Sequence, residues 1–200
     1  MSQGACDWLG KALRNVRAGH GGLMAAQLAS AELLGTGGFA LTSAAFRDGE
    51  ALDPSFTSDE EDAVAPPLEW TAPPPGTQEL VLVVEDPDAP SAKPFCHWLV
   101  WGLAPQQGRL LEGEAPPRVG KNSFGNSEWL LPNPPVGDEP HGYVFQLFAV
   151  DRPVALLPGA SSEDVVEAIR DHVTAAALLT GTYARGDGGD DDWDEDEDED

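Results

Sequence analysis

Lysine is scarce in this chain: Lys11, Lys93 and Lys121 are the only three among 200 residues, joined by eight arginines against 35 acidic side chains. The formal charge is −24, and although residues 187–200 hold eleven of the acids and no base, the remainder still carries −13. Such a surface repels phosphate backbones and anionic headgroups, and no basic stripe with interleaved aromatics offsets it, which argues against a nucleic-acid partner. Cysteine is rarer still. Cys6 and Cys96 are too few and too far apart for a disulfide framework, so a reduced, cytoplasmic protein is expected. Long apolar runs are missing too: no stretch approaches 18 residues, and Asp7, Lys11, Arg14 and Arg17 break up the N-terminus, so neither membrane insertion nor a secretory leader is expected. Signatures of catalysis and of cofactor binding are absent as well. There is no Gly-x-Ser-x-Gly elbow and no His-Glu-x-x-His or paired-cysteine metal spacing, and neither Gly10-Lys11 nor Gly120-Lys121 has the upstream glycine of a P-loop.

What is present is turn chemistry between apolar runs. Proline (18) and glycine (22) make up a fifth of the chain without a periodic repeat, which favours short strands joined by many turns in one globular domain. Phe39-Ala-Leu-Thr42, Leu80-Val-Leu-Val-Val84, Trp98-Leu-Val-Trp101 and Tyr143-Val-Phe-Gln-Leu-Phe-Ala-Val150 are β-branched and aromatic runs bounded by Pro, Gly and Asp, and are expected as strands. Both alternating faces of the last run are apolar, which places it inside a layered sheet. Residues 7–17 set Trp8, Leu9, Ala12, Leu13 and Val16 at helical spacing, an amphipathic helix that would cover part of the core or make a homodimer contact. Gly- and Ala-rich residues 18–38 would link it to the main fold. From Ser161, a serine followed three residues later by Asp164 opens a helix with Val165, Val166, Ile169 and Val173 as its apolar stripe and Gly181 as its stop. Residues 186–200 are too acidic to bury a core and are expected to be disordered. His20 and His172 are expected at the surface.

Two polar segments interrupt the strands. In Glu85-Asp-Pro-Asp-Ala-Pro90, Pro87 and Pro90 remove backbone donors, so the strand must turn and hold Asp86 and Asp88 at its end, ahead of Cys96-His97-Trp98. Alternation would put His97 on the strand face shared by Leu99 and Trp101. An Asp beside a His fixes the imidazole tautomer and favours the imidazolium, which can donate to an anion. In Pro132-Asn-Pro-Pro-Val-Gly-Asp-Glu-Pro-His-Gly-Tyr143, His141 and Tyr143 lie two residues apart at a strand mouth and project to one side. The stiff Pro134-Pro135-Val-Gly137 loop would form a rim beside them.

These segments, with Gly120-Lys-Asn-Ser-Phe-Gly125, Pro66-Pro-Leu-Glu-Trp70 and the closing Leu179-Thr-Gly-Thr-Tyr183, give the chain its resemblance to the phosphatidylethanolamine-binding, or Raf-kinase-inhibitor-like, family in its bacterial branch. The resemblance covers about residues 39–185, and the N-terminal segment, 1–38, resembles an extension in some bacterial members. It implies a mainly β fold with peripheral helices, in which a large central antiparallel sheet packs against a smaller one, with a short N-terminal and a C-terminal helix. It also implies a small anion-binding pocket at Asp86, Asp88, His97, His141 and Tyr143, used by relatives for phosphate or phosphorylated headgroups. Three departures stand out: Gly142 where the family usually has Arg, Asn133 where it has Cys, and Ser58–Ala65 in place of a Gly-rich turn. The leading expectation is a non-enzymatic, cofactor-free binding protein for a small anionic or phosphorylated ligand, with a regulated protein partner implied by the kinase-inhibiting relatives. Two alternatives remain open. One is a hydrolase using His141 or His97 as acid-base with Asp88 as orienter. The other is an interaction module whose function lies in the N-terminal helix and the acidic tail.

Overall fold

The structure, a computed structural model, describes Trp8, Leu9, Ala12, Leu13 and residues 18–186. The acidic run from residue 187 onward lies outside the described residues, as do Lys11, Arg14, Val16 and Arg17 of the expected N-terminal helix. Among the described residues, eight strands form two sheets: β1 (Leu41–Thr42), β2 (Leu68–Trp70), β3 (Glu79–Asp86), β4 (Phe95–Leu103), β5 (Gly108–Leu110), β6 (Arg118–Val119), β7 (His141–Val150) and β8 (Val173–Tyr183). The larger sheet runs β6-β4-β3-β7-β8 and the smaller β1-β2-β5, and every ladder between these strands is antiparallel. They are accompanied by the helices α1 (Met24–Leu28) and α2 (Ser162–Ile169). The fold is therefore mainly β, with a large antiparallel sheet packed on a small one.

The alternating faces of β3 and β7 explain why the large sheet is covered on both sides. Leu80, Leu82 and Val84 of β3, with Tyr143, Phe145, Leu147 and Ala149 of β7, face Leu41, Leu68, Trp70 and Leu110 of the smaller sheet. Val81, Val83, Val144, Phe148 and Val150 face the other way and pack with Leu9, Leu13, Leu23, Met24, Val165 and Ile169. Each such large apolar side chain, fully buried, contributes about 1.5–3 kcal/mol against exposure, so losing either cover would strip the sheet of a face. Leu9 and Leu13 are thus core residues, a cover for the sheet and not a free surface.

Four expectations are corrected. The helix that starts at Ser161 forms with the expected capping box, Ser161 and Asp164 each accepting the other's backbone amide. It ends at Ile169, not at Gly181: Arg170 leaves the helical region (φ −54°, ψ 133°), Asp171 turns through the left-handed region (φ 64°), and residues 173–183 form β8 along β7. The pairing with β7 outweighs the helical preference of Ala175, Ala176 and Ala177. Gly181 does not stop a helix but lets a strand approach its neighbour, since a Cβ there would lie 2.4 Å from Leu52 Cδ2. Residues 18–38 are more than a linker: a 3-10 turn at Ala18–Gly22 and α1 seat Leu23, Met24 and Ala25 in the core, and His20 is buried there instead of lying at the surface. His97, finally, does not share a face with Leu99 and Trp101. Val84 pairs with Trp98 but Glu85 with Cys96, which leaves His97 as the extra residue of a β-bulge. Trp98 faces the smaller sheet, Cys96 and Leu99 face the helices, and the bulge turns His97 to the inter-sheet side, against Tyr143.

Candidate functional site

The site is built where β3 ends and β4 and β7 begin. Pro87 stops the β3 ladder, and Asp86 closes the resulting turn by accepting the Asp88 and Ala89 amides on Oδ1 at 2.8 and 3.0 Å. Its Oδ2 accepts from His141 Nδ1 at 2.7 Å, and both side chains are buried, at 4% and 5% exposure. Because carboxylate oxygens only accept, this contact assigns the proton to Nδ1. Asp88 reaches the same strand: its Oδ2 accepts the Gly142 amide at 2.8 Å. The turn therefore clamps the first two residues of β7 through two carboxylates.

His97 is held from behind by the Gly120–Gly125 motif and the chain that follows it. Cys96 donates its amide to Ser123 Oγ and accepts the Ser123 amide, while Leu130 donates to the His97 carbonyl. Buried Asn122 keeps that loop in shape, its Oδ1 accepting the Phe124 and Asn126 amides. The His97 ring donates from Nδ1 to the Leu130 carbonyl at 2.7 Å and meets Tyr143 edge-on at 5.0 Å. Burial lowers the His97 pKa, against the opposing pull of the Leu130 carbonyl and the Asp86 carboxylate, so the ring is held neutral with Nε2 as an acceptor. Burial, ahead of the nearby Asp86, Tyr183 and Asp88 charges, pushes the Tyr143 hydroxyl well above the usual phenol range, so it remains protonated.

All five residues singled out from the sequence thus converge. Asp86, Asp88 and His141 are joined by hydrogen bonds, and His97 and Tyr143 by ring contact. One neighbour was missed. Asp138, in the Pro-rich loop, brings Oδ2 to 3.6 Å from His141 Nε2 while remaining half exposed. Its position three residues before His141 was the only signal available. The missing Arg also finds its place: a Cβ on Gly142 would make ordinary contacts, 3.5 Å to Asp88 Oδ2 and 3.7 Å to Thr180 Cγ2, so the backbone leaves room for a side chain there. Asn133, at the Cys position of the family, accepts from Arg185 at 2.9 Å and so ties down a guanidinium near the rim.

A cavity of about 700 Å3 lies on the far side of Leu130, lined by Trp98, Val119, Trp129, Glu114 and Glu128, and none of the five site residues lines it. The site itself is a compact cluster in which Asp86, His97, His141 and Tyr143 are buried and Asp88 is partly exposed. Cys96 offers no nucleophile, because burial and the nearby Glu85 push its thiol up to about 12. Among the described residues, no group of three or more His, Cys, Asp or Glu is placed to hold a metal ion.

Two packed antiparallel sheets with Asp, His and Tyr gathered at the strand ends define a PEBP-like domain. The family model for phosphatidylethanolamine-binding protein matches residues 42–184, and the chain belongs to that family. It is 38% identical over 152 residues to a UPF0098 protein of Methanothermobacter thermautotrophicus, covering 71% of this chain and 96% of the relative. A Mycobacterium tuberculosis protein, LppC, named as a candidate lipoprotein, is 36% identical over 145 residues, which cover 72% of this chain and 71% of LppC. A solved structure, a phosphatidylethanolamine-binding protein homologue (CT736) of Chlamydia trachomatis, superposes with a TM-score of 0.68 at 34% identity, covering 74% of this chain and 97% of that one. The LppC name shows that a cytoplasmic address does not follow from family membership alone. Among the described residues, no helix is long and apolar enough to cross a membrane.

Proposed function

We propose that this protein binds a small anionic or phosphorylated ligand without transforming it, through the cluster of Asp86, Asp88, His97, His141 and Tyr143, in the cytoplasm. The observation that carries this reading is the buried Asp86–His141 pair, whose outer nitrogen already faces an acidic oxygen, Asp138 Oδ2, at 3.6 Å. With Nδ1–H held by the buried carboxylate, Nε2 is the ring atom left facing outward, and a phosphate oxygen that shares a proton with it takes the place of Asp138. Binding without turnover is favoured by the surroundings. Both Nδ1 atoms are engaged, His97 is held neutral, and the nearest thiol and phenol are both held protonated by burial.

Calorimetric titration with inorganic phosphate tests the proposal. A ligand that binds only the folded state stabilises it by about 2.7 kcal/mol at a hundred times Kd, so phosphate should also raise the melting temperature. His141→Ala should abolish both effects. Asp138→Asn, which removes the competing charge and keeps the shape, should tighten phosphate by about three- to tenfold. No binding at millimolar phosphate, or tightening lost in Asp138→Asn, would sink the assignment.

A further inference from the structure

The residues that precede the family-matched region pack directly behind the site. Matching begins at residue 42, yet the 3-10 turn Ala18–Gly22 and α1 lie against the two ends of the Asp86 turn. At Gly19 a Cβ would lie 1.8 Å from the Pro87 carbonyl oxygen, so backbone meets backbone at the residue that follows Asp86. At Gly22 a Cβ would lie 2.7 Å from Pro94 Cδ, next to Phe95, the residue that pairs with Asp86 across β3 and β4. The residue before Asp86 completes the enclosure. Glu85 Oε2 accepts the Met24 amide and the Gln146 side-chain amide, each at 2.7 Å, and Gln146 Oε1 accepts the Ala25 amide at 2.7 Å. These bonds are buried, beneath Leu23, Met24 and Ala25. Asp86 is therefore gripped through both of its chain neighbours by a segment that the family model does not include.

We infer that residues 18–28 are a positioning element of the binding site: Gly19 and Gly22, held down by Glu85 and Gln146, set the Asp86 turn and through it the orientation of His141. The inference rests on the anion-binding reading above for its effect on affinity, but not for its effect on the Asp86–His141 contact. A Cβ at Gly19 must displace either the segment or the Pro87 carbonyl, because neither partner is the flexible end of a side chain. Asp86 is the residue directly before Pro87, so its carboxylate moves with the turn, and the imidazole loses its aligned acceptor.

The test uses the full chain and two readouts, calorimetric phosphate affinity and the low-field proton resonance of His141 Nδ1–H by NMR. Gly19→Ala should weaken phosphate by about tenfold or more and shift or broaden the His141 proton. Gly22→Ala, which meets only a proline ring, should do the same to a smaller extent, and serves if Gly19→Ala does not fold. Leu13→Ala, which opens the same core cluster without meeting the turn, should lower the melting temperature but leave affinity in the folded protein within about twofold. The inference is overturned if the glycine variants leave the His141 proton unmoved, or if Leu13→Ala weakens phosphate as much as they do. If the unaltered protein fails to bind phosphate while the glycine variants still move the His141 proton, the positioning role stands and the anion reading alone falls.

Discussion

Two Asp–His pairs in this protein have nearly the same geometry and opposite surroundings. Asp86 and His141 meet at 2.7 Å with 4% and 5% of their side chains exposed, while Asp151 and His172 meet at 2.8 Å with 49% and 33% exposed. The exposed pair joins the residue that follows β7 to the residue that precedes β8, the two ends of the connection that carries α2, where water competes for both partners and Arg152 approaches the outer nitrogen of the ring at 3.0 Å. In the buried pair an acid, Asp138, occupies the corresponding outer position. Contact distance alone would assign them one role. Burial and the sign of the outer neighbour separate them: one is a solvated contact across the ends of a long connection, and the other is a buried pair, costly to break, whose outer nitrogen faces a carboxylate.

That contrast can be broken at its stronger end first. Asp86→Ala removes the acceptor of three donors, the Asp88 and Ala89 amides and His141, and should cost roughly 3–5 kcal/mol in denaturant unfolding. A loss below about 1 kcal/mol would mean that burial does not distinguish the two pairs.

A third acid sharpens the role of burial, because Glu85 is the chain neighbour of Asp86 but faces the other side of the sheet. Burial pushes its carboxyl up to about 7 from 4.5, against the lowering effect of its bonds from Gln146 and Met24. The folded protein therefore holds a proton between those values that the unfolded chain has released, so this contribution is fully present below pH 4.5 and is lost as pH rises toward 7. The expected loss is on the order of 2–3 kcal/mol. Unfolding free energies measured across that range should fall less steeply for Glu85→Gln than for the unaltered protein, and parallel profiles would contradict the assignment. At the weak end, His172→Ala should change stability by no more than about 0.5 kcal/mol and leave phosphate affinity untouched. A larger effect would show that the exposed pair is more than a solvated surface contact.

Much of the fold was legible because its central strands carry their own signal. Leu80–Val84 and Tyr143–Val150 are β-branched and aromatic on both faces, and prolines mark where β3 ends. The gathering of Asp86, Asp88, His97, His141 and Tyr143 into one candidate site was legible for a related reason: they sit in short motifs whose prolines and spacing mark them out. What stayed hidden depends on distant partners. Ala175–Ala177 look helical after a well-capped helix, and only the ladder with β7 makes them a strand. Gly181 reads as a stop until Leu52 is seen against it. The grip of Glu85 and Gln146 on α1 spans 61 and 121 positions along the chain, beyond the reach of any local pattern. Asp138 reads as a loop acid until the loop brings it onto His141.

The bulge in β4 makes the address of His97 a matter of counting instead of alternation. Val84 opposite Trp98 and Glu85 opposite Cys96 leave one residue over, and that residue is the site histidine. A deletion of one residue there would restore regular pairing of β3 with β4 between Val84 and Glu85, and would remove the histidine from the candidate site together with its bonds to Leu130. The position of His97 on the inter-sheet side therefore depends on the length of β4 as well as on the identity of the residue.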